Sequence, residues 1–135
     1  MIHKFTKSAF LILILILFSE RAFAHGMDKP GPHGGYIRMP GAFHTELVLV
    51  KPSTLKVYLL DINFKFPTIK ESSVSALFVQ DGKTTILTCS TKKDYFECNA
   101  PNVEFNESGS LKITANRMKN KGVEAVYELP LKFKK

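Results

Sequence analysis

The run from His25 to Glu46 gathers three of the chain's four histidines, His25, His33 and His44, together with Met27, Met39 and Glu46. Imidazole nitrogen suits copper and zinc, and thioether sulfur suits cuprous copper, so this mixture points to copper first and to zinc as the alternative. His44 and Glu46 stand two apart on a predicted strand and therefore share a face. The glycines and prolines of residues 25–34 make a flexible, irregular lead-in that can bend its side chains toward a neighbouring strand. A purely structural reading stands beside the metal one. In it His33 is a solvated turn residue, Met27 and Met39 are packing or loop residues, and His44 with Glu46 is a surface hydrogen-bonded pair.

What precedes His25 bears on this chemistry. Lys4 and Lys7 form a positive start, Ala9 to Phe18 is an apolar run, and Ala22-Phe23-Ala24 is a small-residue cleavage signature. That layout is a cleavable signal peptide over residues 1–24. The apolar run is about ten residues, roughly half of what a membrane-spanning helix needs, so no stable membrane insertion is expected after cleavage. Cutting after Ala24 exposes the α-amine of His25. The amine and the Nδ1 of the same residue can then chelate one metal as a histidine brace, with His33 or His44 completing a square-planar set suited to Cu(II).

Export also frames the composition. Without residues 1–24, 111 of the 135 residues remain, the size of one domain over residues 35–135 behind the 25–34 lead-in. The net charge of +7 falls to +5 once Lys4, Lys7, Arg21 and Glu20 are removed. The basic residues are interspersed with acidic ones and form no aromatic-interleaved stripe, so no nucleic-acid partner is expected. The surplus charge reads as solubility with an attraction to an anionic envelope surface. Cys89 and Cys98 are an even pair, expected to bridge in an oxidising periplasmic or secreted setting. A turn centred on Lys93-Asp94 would set them opposite each other on paired strands. Two thiolates binding a soft metal is the other reading of the same pair.

The elements that must position these residues read as strands. From Phe43 onward apolar and polar residues alternate in short runs broken by turn residues, the pattern of an all-β domain. Strands are predicted at 35–39, 43–50, 54–61, 74–80, 83–90, 95–99, 111–116 and 123–133. Asp81-Gly82 predicts a tight hairpin, Lys51-Pro52-Ser53 another reversal, and 106–109 and 120–122 further turns. Leu55, Val57 and Leu59 form one apolar row, and Leu111, Ile113 and Ala115 another, beside outward Lys112, Thr114 and Asn116. Seven or eight short strands with two such rows predict an immunoglobulin-like β-sandwich, with a small β-barrel as the alternative. Residues 62–73 are assigned no state, because Pro67 confines that stretch to an edge strand or a loop.

Gly31-Pro32-His33-Gly34-Gly35, then Gly41-Ala42-Phe43-His44-Thr45-Glu46-Leu47-Val48, then Val57 to Asp61 resembles small periplasmic proteins associated with heavy-metal resistance. The same pattern is similar to the N-terminal region of periplasmic adaptor subunits of metal-efflux pumps. The likeness covers about 30 residues, and the cysteine pair is not part of it. It implies copper or zinc handling, with His33, His44 and Glu46 as the carried-over polar positions, and a metal-efflux or envelope protein as partner. Two readings follow: a periplasmic copper chaperone or buffer, and an envelope interaction or structural module without metal. An enzyme is not expected, since no serine stands in a nucleophile-elbow context and no histidine in a triad arrangement.

Overall fold

The computed structural model describes residues 25–26 and 29–133. The expected leader over 1–24, Met27, and the side chain of His25 lie outside the described residues. Every regular element described is a strand: β1 (His25–Gly26), β2 (Tyr36–Met39), β3 (His44–Lys51), β4 (Thr54–Leu60), β5 (Ser73–Gln80), β6 (Lys83–Ile86), β7 (Thr88–Thr91), β8 (Phe96–Asn99), β9 (Gly109–Arg117), β10 (Asn120–Lys121) and β11 (Ala125–Leu129). They build two antiparallel sheets. The larger runs β1-β2-β3-β4-β8-β7, and the smaller runs β10-β9-β5-β6 with β11 also paired to β9. The sheets do not close on each other, so the molecule is a β-sandwich and the barrel alternative falls away.

The two predicted apolar rows face each other across the sandwich. Leu55, Val57 and Leu59 from β4 and Leu111, Ile113 and Ala115 from β9 are all buried, joined by Leu47, Phe78, Phe105 and Tyr127. Each large aliphatic or aromatic side chain taken from water here contributes about 1.5–3 kcal/mol. Tyr127 brings a hydroxyl into this core, and it is met by Thr45: the two hydroxyl oxygens lie 2.7 Å apart, and Tyr127 also reaches the Thr45 carbonyl at 3.2 Å. Burial pushes the Tyr127 phenol far above its ordinary range, with the Thr45 hydrogen bond pulling the other way.

The Asp81-Gly82 hairpin forms as expected, with φ of 49° and 73° at its two central residues, the left-handed pair that a two-residue turn between twisted strands requires. The cysteine register also forms: Cys89 lies opposite Cys98 on β7 and β8, and the two are joined in a disulfide. The predicted single strand 83–90 is two. Leu87 turns its side chain into the core and its N–H donates to the Ala76 carbonyl at 3.0 Å, after which the chain leaves the smaller sheet and enters the larger one. The turn predicted at 120–122 lies two residues earlier, at Met118-Lys119, because Asn120 pairs with Arg117. Residues 62–72 are irregular and carry no strand.

Candidate functional site

Strand parity sends Thr45 and Leu47 into the core and His44 and Glu46 to the outer face of the larger sheet. That face would normally be wet, yet His44 is 4% exposed and Glu46 is fully buried. Two loops cover it. One is residues 30–35, before β2; the other is residues 61–67, after β4. Between them lies a second, smaller apolar cluster of Ile37, Tyr58 and Leu60, flanked by Val48, Phe64 and Tyr95.

The first loop is built around the Glu46 carboxylate. Gly34 N–H donates to the Gly31 carbonyl and Gly31 N–H to the Gly35 carbonyl, both at 2.9 Å, closing a turn with Pro32 at its second position. The turn aims three donors at one side chain. Oε1 accepts from the N–H groups of His33 at 2.8 Å and Gly35 at 3.0 Å, and Oε2 accepts from His33 Nδ1 at 2.7 Å. A buried carboxylate is tolerable only when its oxygens are satisfied in this way. Two glycines are required by the closeness of the wrap: a Cβ on Gly31 would collide with the carboxylate, and one on Gly35 would stand 2.6 Å from the Leu47 carbonyl. The GPHGG motif is thus, first of all, a cradle for Glu46.

His33 lies flat on Tyr58, ring centroids 3.7 Å apart and planes within 4°, with its side chain 31% exposed. Burial raises the Tyr58 phenol above its ordinary range; Lys56 opposes this shift and Asp94 adds to it. With Nδ1 committed to Glu46, Nε2 is the His33 nitrogen left to act as a ligand. A histidine held through one ring nitrogen by a carboxylate, with the other available, has the orientation metal-binding histidines take. Glu46 in this arrangement orients the His33 ring and has both oxygens engaged, which separates its role from that of the histidines.

His44 is anchored differently. Its Nδ1 lies 3.0 Å from the Asp61 carbonyl, an acceptor only, so Nδ1 carries the proton and Nε2 is the potential metal donor. Phe64 covers the ring at 4.2 Å between centroids. Phe64 reaches it from a tight turn in which Asp61 Oδ1 accepts from the N–H groups of Asn63 and Lys65, each at 2.9 Å. The β2–β3 pairing ends at Arg38 opposite Thr45, so Met39 and His44 are the next positions along their strands, and on the far side of β2 the backbone pairs His25 with Met39. Positions 25, 39 and 44 therefore occupy one row across three strands. Met39 is 42% exposed.

Compared with family models, curated proteins and solved structures, the chain finds no significant match in any.

The structure brings His33 to Glu46, and leaves Met39 and His44 one residue beyond the last β2–β3 pair. No group of three or more His, Cys, Asp or Glu side chains suited to a metal forms among the described residues. Tyr58, Asp61 and Phe64 escape the sequence reading, although each fixes a histidine. Tyr58 carries a faint signal, an aromatic on the polar-facing parity of β4. Asp61 acts through its backbone carbonyl, which no side-chain pattern reports.

Proposed function

We propose that the chain is an exported, periplasmic metal-binding protein, a copper chaperone or buffer rather than an enzyme. The observation that supports this reading best is the row of positions 25, 39 and 44: an imidazole fixed through Nδ1, a thioether, and the residue that cleavage after Ala24 would make the amino terminus. His25, through its amine and ring, and His44 would hold Cu(II), with Met39 favouring the reduced ion and His33 as a further nitrogen donor. Zinc is the alternative metal. A metal-efflux or envelope protein would be the partner that receives it.

The test is titration of copper into the chain beginning at His25 and into the same chain extended by one Met. About one Cu(II) with a nitrogen-rich EPR spectrum is expected for the authentic form. Blocking the amine or replacing His44→Asn should each weaken binding by at least about 10–100-fold, the loss that removing even an outer-shell partner of a ligand causes. Absence of binding to either form sinks the proposal. It would leave the second reading, an envelope interaction module, which one observation favours: Glu46 and His33 satisfy each other within the fold and need no ion.

A further inference from the structure

Of the eight large apolar side chains exposed among the described residues, three sit on two touching loops at one end of the sandwich: Ile62 at 56%, Phe66 at 72% and Met118 at 45% exposure. The loops are tied by backbone. Arg117 donates to the carbonyls of Leu59 at 3.2 Å and Phe66 at 2.7 Å, Met118 N–H donates to Ser72 Oγ at 3.0 Å, and Lys119 N–H donates to the Glu71 carbonyl at 3.1 Å. The same loops hold five of the six non-glycine residues with positive φ: Phe64, Phe66, Glu71, Met118 and Lys119. At Met118-Lys119 this is the left-handed pair of a two-residue hairpin turn, whereas at Phe64, Phe66 and Glu71 side chains without glycine's freedom are strained, and such strain gathers at sites of function. Here it turns Phe64 inward onto His44 and leaves Phe66 outward in water.

Charge identifies what would meet these side chains. Lys65, Lys70, Lys119 and Lys121 are exposed on the same loops and the strand that follows. The acidic groups there are engaged: Asp61 caps its own turn, and Glu71 pairs with Lys119 at 3.7 Å. Apolar tips set among lysines match a layer with negative headgroups above and hydrocarbon beneath. We propose that this end of the sandwich docks on an anionic lipid bilayer, with Phe66 and Ile62 entering the headgroup layer and the lysines facing lipid phosphates. Two apolar loop tips and a few lysines make this a peripheral contact.

The chain has no tryptophan, so Phe66→Trp installs a single fluorescent reporter. The chain would be recovered from an export-competent bacterial host, its amino terminus read by mass spectrometry, and mixed with phosphatidylcholine vesicles with and without phosphatidylglycerol. A blue shift of the tryptophan emission only with the anionic vesicles, together with co-sedimentation that fades as salt rises, is the expected result. Replacing Lys65, Lys70 and Lys121 together by Gln should weaken partitioning about a hundredfold, at about fivefold per lysine. The double change Ile62→Ala, Phe66→Ala should abolish co-sedimentation while the thermal melt stays that of the parent. Vesicle binding unaffected by these changes, or no binding at low salt, overturns the proposal. So does a concentration-dependent dimer that Phe66→Ala dissociates without any lipid binding, which would assign the patch to a second copy of the chain.

Discussion

The two faces of the larger sheet are both buried, by different physics. The inner face of β3 and β4 carries Leu47, Leu55, Val57 and Leu59, pressed against the other sheet. The outer face carries His44, Glu46, Tyr58 and Leu60, covered by loops that reach it with hydrogen bonds and stacked rings. Hydrocarbon burial is non-directional and tolerates relaxation; a carboxylate held by three donors does not. The difference suggests that the inner face makes the fold stable and the outer face makes two histidines point in fixed directions.

The comparison breaks most sharply at one residue on each face. Leu47→Ala should cost about 2–5 kcal/mol through a cavity in the core, and Glu46→Ala about 3–5 kcal/mol, because it strips partners from the buried Gly35 N–H, the part-buried His33 N–H and the His33 ring. Urea unfolding gives both totals, and amide exchange separates them. Leu47→Ala should raise exchange throughout both sheets, whereas Glu46→Gln, with a smaller total loss, should release the amides of His33 and Gly35 first. Equal and uniform exchange in the two variants would erase the distinction.

Removing the disulfide tests the far edge of the same sheet. Cys89 and Cys98 changed to Ala should cost about 2–3 kcal/mol, from the short loop they close. Calorimetry should show the melting temperature lowered by about 10–20 °C, with copper titration unchanged. Gly31→Ala is expected to cost less, about 1–2 kcal/mol, since the loop can withdraw from Glu46 and rehydrate it. Its signature is loss of the His33–Tyr58 stacking, visible as a change in the His33 ring resonances.

The smallest effect is confined to alkaline pH. Tyr127 has its pKa raised by burial, so the unfolded state ionises first as pH rises past about 10, the ordinary tyrosine value. Its contribution to stability is therefore complete below that pH and lost above it. Absorbance at 295 nm followed with far-UV circular dichroism should show a tyrosinate step coincident with unfolding, reduced in Tyr127→Phe to the part that Tyr58, also raised by burial, supplies.

Much of the inner face was legible in the sequence because its signals are local. Alternation assigns Leu55, Val57 and Leu59 to one side, Asp81-Gly82 states its own turn, and the cysteine spacing states its register. The corner at Leu87 was not legible, since Ile86-Leu87 interrupts the alternation without any glycine or proline to mark a turn, and only the geometry of two packed sheets bends the strand. The Met118-Lys119 turn has no turn-forming side chains. Its backbone is held by Ser72 and Glu71, far away in sequence. Glu46 reads as a ligand beside His44, because parity reveals a shared face but says nothing of a loop arriving to cover it.

The corner at Leu87 has a mechanical consequence. There one continuous run of chain belongs to both sheets, and the disulfide fastens the run just beyond it, so this side of the sandwich behaves as the spine of a book. On the opposite side the sheets are held by side chains and one backbone bond: Arg38 donates to the Val126 carbonyl at 3.0 Å and lies over the Tyr127 ring, Tyr36 stacks on Phe133 and donates to the Leu131 carbonyl, and Val123 N–H donates to the Pro40 carbonyl at 2.9 Å. Opening of the covers is therefore expected first at the fore-edge, where β1 lies along β2. The row of positions 25, 39 and 44 sits on the pages that open.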